Sequence, residues 1–184
     1  TEYLQFEVGS VFNYIPTNLF KYFSNFRGFI AYNTSTTTIV TDAFNHCPLL
    51  QVLYIYNSPF EVLPAGFAQT CEQIFYIEIQ HNLLSYIDRE AFRGLKYVQN
   101  ILLANNKITC LPLGLFDHTP ELRTVSFAFN NIVALDPNTF ANMPYITEIN
   151  FSNCELKLLP NLNLACTGVV FGLNLILSDN PISA

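Results

Sequence analysis

The side chains that could support acid–base, metal or redox chemistry are few and widely separated along this chain. There are three histidines and five cysteines among 184 residues. His81 lies three positions after Glu78, a spacing more typical of a surface pair than of a general base serving a nucleophile. The sequence contains no Cys-x-x-Cys pair, no His-Glu-x-x-His motif and no Gly-x-Ser-x-Gly motif. We therefore predict that the chain is not an enzyme and has no catalytic residue, no metal site and no cofactor.

A set of tyrosines suits binding better than catalysis. Tyr32, Tyr54, Tyr56 and Tyr76 occur in three successive apolar segments of the chain. Tyrosine combines a large rigid ring with a polar hydroxyl, and it is enriched at protein interfaces for that reason. Whether these rings reach solvent depends on the elements that carry them.

Those segments belong to a repeat whose clearest copy is residues 98–121. Val98, Ile101 and Leu103 alternate with more polar residues and predict a short strand with one buried face. Asn106 follows at the turn, where its side chain can bond backbone groups that would otherwise be buried without partners. Small residues recur at this turn position with a constant 24-residue period, at Ser10, Thr34, Ser58, Asn82, Asn130 and Cys154. Since one such unit cannot bury its own apolar face, the copies are expected to stack.

This LxxLxLxxN pattern, followed by Leu-Pro-x-x-x-Phe at residues 111–116, resembles leucine-rich repeat proteins. The resemblance is to the extracellular animal subclass with 24-residue repeats, and in particular to invertebrate, insect-like immune proteins. It implies an α/β horseshoe-type solenoid with a parallel β-sheet on its concave face. It also implies a mostly irregular or 3-10 convex side with little α-helix, and a recognition role without catalysis.

The repeat predicts a single solenoid domain over residues 1–184. Residues 1–25 form an atypical N-terminal repeat, residues 26–159 form regular 24-residue repeats, and residues 160–184 form an irregular, truncated last repeat. The cysteine-rich caps usual in the family are missing. We therefore expect the natural protein to continue beyond residue 184, and an uncapped end is a candidate surface for oligomerisation.

Stacked strands would bring the tyrosines together. Alternate residues of each strand face the concave side, and neighbouring strands lie about 4.8 Å apart. We expect a binding surface there with Glu78 and His81 at its rim. Its residues are Ile30, Tyr32, Tyr54, Tyr56, Tyr76, Glu78 and His81. The alternative is that the tyrosines pack across strands and only stabilise the sheet.

The cysteines predict one disulfide. Cys47 and Cys71 occupy equivalent positions in successive repeats, so they should stack within bonding range. The alternative is two free thiols in an otherwise apolar column. Cys154 takes the turn position with a buried thiol, whereas Cys110 and Cys166 have no stacked partner that the sequence identifies.

Two sequons predict N-linked glycosylation. They begin at Asn33 (Asn-Thr-Ser) and at Asn150 (Asn-Phe-Ser). The segment after Asn33 could instead be a hydroxyl-rich loop that satisfies its own backbone. A glycan on Asn150 would cover the far end of the sheet and would direct a protein partner toward the N-terminal half or the lateral loops. A partner that uses the concave sheet should centre on residues 30–81.

Charge and hydropathy restrict the partners. The net charge of −6, with eight Lys and Arg and no basic run, argues against nucleic acid. The most apolar stretch, residues 169–177, is too short to span a bilayer, so no membrane insertion is expected within this chain. The resemblance to leucine-rich repeat immune proteins then implies a secreted recognition module of innate-immune type that binds a protein through the concave sheet or the edge loops. The alternatives are an ectodomain fragment of a transmembrane receptor or adhesion protein, Toll-like or hormone-receptor-like, and a structural scaffold.

Overall fold

The structure is a computed structural model and describes residues 2–6, 13–40, 43–164 and 172–183. In those residues the chain forms a solenoid of parallel strands with one short helix, as the repeat predicts. The elements in chain order are β1 (Tyr3–Phe6), α1 (Leu19–Tyr22), β2 (Gly28–Tyr32), β3 (Val52–Tyr56), β4 (Val62–Leu63), β5 (Tyr76–Gln80), β6 (Tyr86–Ile87), β7 (Asn100–Leu102), β8 (Thr124–Ser126), β9 (Glu148–Asn150) and β10 (Asn174–Ile176).

One sheet runs the length of the solenoid in the order β1-β2-β3-β5-β7-β8-β9-β10. From β2 to β9 each paired residue is matched with the residue one full repeat further along the chain, as Leu53 is with Ile77. The two outer pairs differ in spacing. Leu4 pairs with Phe29, which is one position beyond the regular period, and Ile149 pairs with Leu175, which is two positions beyond it. The regular period therefore lies in the middle of the sheet, and the irregular spacing lies at its edges.

The return segments on the convex side are mostly turns. They are closed by single backbone hydrogen bonds from residue i+3 to residue i, such as Leu95 N to Phe92 O and Leu122 N to Thr119 O. The short strands β4 and β6 pair with each other on this side. Little helix forms because each return spans only about half of a repeat and contains turn-forming residues, which leaves few positions for successive helical hydrogen bonds.

A column of phenylalanines fills the space between the sheet and the returns. Phe116 lies between Phe92 and Phe140, with ring centroids 6.1 Å and 5.8 Å away. It is also 6.3 Å from Phe127 of the sheet side, and only 3% of its surface is exposed. In the repeat that shifts its aromatic by one position, Phe67 still enters the column, 6.0 Å from Phe44. The aromatic column is therefore continuous across these repeats.

The asparagines at the turn position link successive repeats. The side-chain amide of Asn106 donates to the carbonyls of Ile79 and Leu103 at 2.8 Å and 3.0 Å. Its Oδ1 accepts a hydrogen bond from the backbone N–H of Leu84 at 3.2 Å. One buried side chain thus satisfies backbone groups of two repeats. Equivalent bonds are made by Asn82, Asn130 and Asn180.

Other small residues at this position keep part of the same bonding. The hydroxyls of Thr34 and Ser58 lie 2.8 Å apart, so they continue the chain of hydrogen bonds toward the first repeats. The buried thiol of Cys154 lies 3.2 Å from the carbonyl oxygen of Phe127. The position is therefore defined by hydrogen bonding in a small volume, which explains the range of residue types found there.

Cys47 and Cys71 form a disulfide between neighbouring repeats, with their Cα atoms 5.0 Å apart. The sequence prediction of this pair is confirmed, and the alternative of two free thiols does not describe the structure. Cys154 is free and buried, as predicted, and Cys110 is free and exposed. Cys166 lies outside the described residues.

We predict that Asn106→Ala lowers the free energy of unfolding by about 2–4 kcal/mol, because a buried N–H and two carbonyls lose their partner. The matched control is Asn131→Ala, since Asn131 is exposed and only its backbone N–H is hydrogen-bonded. Urea denaturation of the three proteins measures the difference. Equal losses in the two variants would contradict the bridging role of Asn106.

We also predict that Phe116→Ala lowers the free energy of unfolding by about 3–5 kcal/mol through lost burial and the cavity left behind. Phe75→Ala makes the same substitution at a side chain that is 40% exposed, and it should cost about 1 kcal/mol or less. Thermal melts of both variants provide the test. If the two substitutions lower the melting temperature equally, the phenylalanine column does not form the core.

Candidate functional site

The parallel sheet brings tyrosines of three neighbouring strands to its concave face. Tyr32 in β2 pairs with Tyr56 in β3, and Val52 in β3 pairs with Tyr76 in β5. Leu53 and Ile55 alternate with Tyr54 and Tyr56 along β3 and are fully buried on the opposite face. The alternation of strand side chains therefore separates a tyrosine face from the core face.

The four rings are in mutual contact and form one surface, which we call the tyrosine cluster (Tyr32, Tyr54, Tyr56 and Tyr76). The rings of Tyr54 and Tyr56 are stacked, with centroids 6.1 Å apart and planes 14° apart. Tyr54 lies 5.5 Å from Tyr76, and Tyr56 lies 6.3 Å from Tyr32. Tyr32 is 44% exposed and the other three rings are half-buried. The cluster is thus rigid but open to solvent.

Glu78 borders this cluster and is hydrogen-bonded to it. Its Cα is the register partner of Tyr54. The hydroxyl of Tyr76 donates to its Oε2 at 2.9 Å, and Nε2 of Gln80 donates to its Oε1 at 2.5 Å. A hydrogen bond between Tyr56 and Glu78 also contributes to the raised pKa of Tyr56. On its other side Glu78 pairs with Leu102 of β7, so the strand register places this carboxylate at the border of the cluster, hydrogen-bonded to Tyr76. Its part in binding stays a prediction.

The tyrosine hydroxyls are held in their neutral form. Burial raises the pKa of Tyr56 above its ordinary value, and the hydrogen bond to Glu78 and the carboxylate charge raise it further. The same causes, in the same order, raise the pKa of Tyr76. Burial and the charge of Glu78 also raise the pKa of Tyr54. Near neutral pH these phenols can therefore act as donors to Glu78.

The other two predicted site residues, Ile30 and His81, lie in different parts of the repeat. Ile30 is half-buried in β2 and is the register partner of Tyr54. His81 is exposed at the turn after β5, with a positive φ of 55°. Within the described residues no hydrogen bond or ion pair joins His81 to Glu78. Ile30 thus belongs to the concave face, while His81 borders it at the turn.

The left-handed backbone of His81 is a repeated feature that the sequence did not reveal. From Thr34 to Asn180, the residue immediately before each turn position adopts positive φ. The set is Asn33, Asn57, His81, Asn105, Phe129, Asn153 and Asp179. This conformation is uncommon for residues other than glycine and asparagine, so the turn imposes it on His81 and on Phe129. It points these side chains away from the strand's alternating pattern.

Tyr3 adds a fifth ring that sequence reasoning missed. It pairs with Gly28, and its ring occupies the space that a side chain at position 28 would need. Tyr3 is 48% exposed, and its charge when ionised would also raise the pKa of Tyr54. The signal in the sequence was Gly28, the one glycine in the described strands of this sheet. The irregular spacing of the first pair concealed its connection with Tyr3.

The concave face changes character beyond β5. The positions equivalent to Tyr54 become Leu102, Ser126 and Asn150, and those equivalent to Tyr76 become Asn100 and Thr124. This half of the sheet is therefore smaller and more polar, as expected from the sequence. The aromatic surface is confined to the strands nearest the N-terminal edge.

The two sequon asparagines occupy different settings. Asn33 is exposed at the end of β2, and the hydroxyl of the following Thr34 is hydrogen-bonded to Thr36 and Ser58. Asn150 is half-buried in β9, and its Oδ1 accepts a hydrogen bond from the backbone N–H of Ser152 at 2.9 Å. Glycosylation at either site stays a prediction.

Ionisable groups elsewhere form pairs on the surface. His118 lies 2.9 Å from Glu90, and Arg89 lies 3.4 Å from Asp117. No group of three or more His, Cys, Asp or Glu side chains suited to a metal ion occurs in the described part of the chain. The arrangement with the most distinctive chemistry is therefore the tyrosine cluster with Glu78, a surface suited to binding.

Comparison with known proteins agrees with the fold. A leucine rich repeat model matches residues 48–108, 72–126 and 96–156, and a model of the BspA type leucine rich repeat region (6 copies) matches residues 2–71. No curated protein sequence matches the chain significantly.

Solved structures also resemble it. One is the Toll–Spatzle complex, described as a molecular hub in Drosophila development and innate immunity, with 24% identity over 85% of this chain and a TM-score of 0.76. Another is the TLR13–ssRNA13 complex, with 20% identity over 93% of this chain and a TM-score of 0.83. The chain spans 21% and 24% of those two proteins. At such identities the likeness shows the fold alone, whereas the family models cover most of the sequence. The chain belongs to the leucine-rich repeat family.

Proposed function

We propose that this chain is a non-catalytic recognition module that acts outside the cell and binds a protein partner. The binding surface is the concave sheet between residues 30 and 81, and the setting is innate immunity, as in insect-like immune members of the family. The observation that carries the proposal is the tyrosine cluster beside Glu78. Rigid tyrosines offer a large contact area with little side-chain entropy to lose.

The cluster is not needed to form the sheet, which argues for a binding role over a scaffold role. Strands β7, β8 and β9 continue the same sheet with Asn100, Thr124 and Ser126 on the concave face. Backbone pairing and the buried face therefore suffice for those strands. A cluster of open rings restricted to three strands is better explained by a contact made with another molecule.

Two features support an extracellular location. Cys47 and Cys71 are joined as a disulfide, and such bonds persist mainly in oxidising compartments. The sequons at Asn33 and Asn150 are used only in secreted or extracellular chains. Two solved structures that the chain resembles are complexes, of Toll with Spatzle and of TLR13 with ssRNA13.

A protein fits the surface better than a nucleic acid does. The chain carries a net charge of −6, and Glu78 is the one charged residue in β2, β3 and β5. A phosphate backbone would meet an unfavourable charge there, because nucleic-acid affinity depends mainly on cationic contacts. The ssRNA in the TLR13 structure is a ligand of that protein and does not set the ligand class proposed here.

The second candidate function is a segment of the ectodomain of a longer receptor or adhesion protein. It is favoured by the chain's length, which spans 21% of Toll and 24% of TLR13. The described residues contain no helix long and apolar enough to cross a membrane. The sequence of the full-length gene separates the two candidates, since a transmembrane helix after residue 184 would select the receptor.

The concave surface is tested by Tyr54→Ser combined with Tyr56→Ser. We expect the double variant to lose at least about 2 kcal/mol of binding free energy for the partner if these rings are hot spots. The melting transition should stay nearly unchanged, because Leu53 and Ile55 on the buried face are untouched. Immobilised protein captures the partner from extracellular fluid of the source, and mass spectrometry and biosensor titration identify and measure it.

The matched control is Thr124→Ser combined with Ser126→Ala, two changes on the same face outside the cluster. This control should capture the partner as well as the unmodified protein does. If the tyrosine variant captures the partner with unchanged affinity, while changes at the turns or the ends of the solenoid abolish capture, the concave-face proposal fails.

The oxidation state of Cys47 and Cys71 tests the extracellular location. Non-reducing peptide mapping of protein isolated from its source should recover the peptides of Cys47 and Cys71 as a linked pair. Closing a loop of this length contributes about 3 kcal/mol, so reduction should also lower the melting temperature. Recovery of both cysteines as free thiols would contradict secretion through an oxidising compartment.

A further inference from the structure

The carboxylate of Glu78 has neutral partners on both oxygens. Tyr76 and Gln80 donate to it at 2.9 Å and 2.5 Å. The ion pairs among the described residues use other carboxylates. These are Glu2, Glu72, Glu90 and Asp117. Glu78 is thus a half-buried negative charge that the described part of the chain leaves uncompensated.

Aromatic rings adjoin this charge on the side facing β3. Tyr54 is its register partner and contacts both Tyr56 and Tyr76. The face of an aromatic ring carries partial negative charge, which attracts a cation placed over it. The hydroxyls of Tyr56 and Tyr76 are turned toward Glu78 by hydrogen bonding, so the ring surfaces and the carboxylate act on the same small region.

The chain's own cations near the sheet are engaged elsewhere. Arg27 is 3.8 Å from Glu2 at the β1 edge, and Arg123 lies over the ring of Tyr145 at 5.7 Å. Strands β2, β3 and β5 contain no Lys or Arg. In the described part of the chain, nothing therefore competes by ion pairing for Glu78, and the overall charge of −6 favours the approach of a positive group.

We propose that the tyrosine cluster and Glu78 together form an acceptor for an arginine side chain of the protein partner. The guanidinium group would stack on the tyrosine rings and bond the remaining lone pairs of the carboxylate. Arginine fits better than lysine because its planar group both stacks on aromatic faces and bonds a carboxylate through two N–H groups. This inference rests on the proposed concave-face function and specifies the chemistry of the partner.

The test uses two short peptides that differ in one group. Acetyl-Gly-Arg-Gly-amide carries the guanidinium, and acetyl-Gly-citrulline-Gly-amide replaces it with a neutral urea of similar shape. Each is titrated into protein with 13C-labelled tyrosine rings, and NMR follows the resonances of Tyr54, Tyr56 and Tyr76. The arginine peptide should give saturable shifts of these three rings that weaken as salt is added. The citrulline peptide should bind at least tenfold more weakly.

Two variant pairs separate the parts of the acceptor. Glu78→Gln should weaken arginine binding at least tenfold, whereas Glu148→Gln, which removes a charge from β9 on the same face, should leave it within twofold. Tyr54→Phe keeps the ring face and should retain binding, whereas Tyr54→Leu should lose at least fivefold. Melting temperatures of all four variants check that the fold is retained. If Tyr54→Leu fails to fold, Tyr56→Leu replaces it and should likewise weaken arginine binding at least fivefold.

Equal binding of the two peptides, or equal losses in Glu78→Gln and Glu148→Gln, would overturn the arginine acceptor. So would capture of the natural partner that depends on Tyr54 and Tyr56 but is unaffected by Glu78→Gln. That last result would leave the proposed function intact. Failure of the proposed function would give a different result. Partner capture would then be unaffected by the changes at Tyr54 and Tyr56, whether or not the arginine peptide binds.

Discussion

The fold depends on satisfying the backbone groups that are buried where each strand turns toward the convex side. At that point the chain enters the space between the sheet and the returns, where water cannot supply partners for N–H and C=O groups. Asn82, Asn106 and Asn130 supply them, each with one acceptor and two donor positions directed at the backbone of its own and a neighbouring repeat. Because each amide joins two repeats, it also fixes how they are stacked.

This stacking determines what the concave face can present. A shift of one residue between strands would exchange the buried and solvent faces, so the regular pairing of β2, β3 and β5 keeps Leu53 and Ile77 in the core. The same pairing aligns Tyr54 with Glu78 and Tyr32 with Tyr56. One strand register therefore sets both the packing of the core and the arrangement of the concave surface. The phenylalanines of the core and the tyrosines of the surface lie on opposite sides of the sheet.

The surface that results is divided along the solenoid. The N-terminal strands offer tyrosine rings beside a carboxylate, whereas the later strands offer mostly polar side chains, among them the sequon asparagine Asn150. A partner that uses both halves would combine a specific contact at the first with a shallow fit along the second. On the proposed function, this division would concentrate the binding free energy in few residues, as is usual for protein interfaces.

The sequence by itself determined the solenoid, its regular period, the tyrosine-bearing face and the Cys47–Cys71 pair. Each of these follows from a repeating pattern, because residues at equivalent positions must stack once the repeats do. The tertiary structure alone decided that Glu78 is hydrogen-bonded to the tyrosine cluster, that His81 lies at a left-handed turn, and that Tyr3 joins the surface over Gly28. Those features depend on side-chain hydrogen bonds between strands and on the irregular spacing at the first pair, and neither follows the repeat. A periodic pattern specifies which residues stack, whereas the contacts among stacked side chains are set by packing between strands that are distant in the chain.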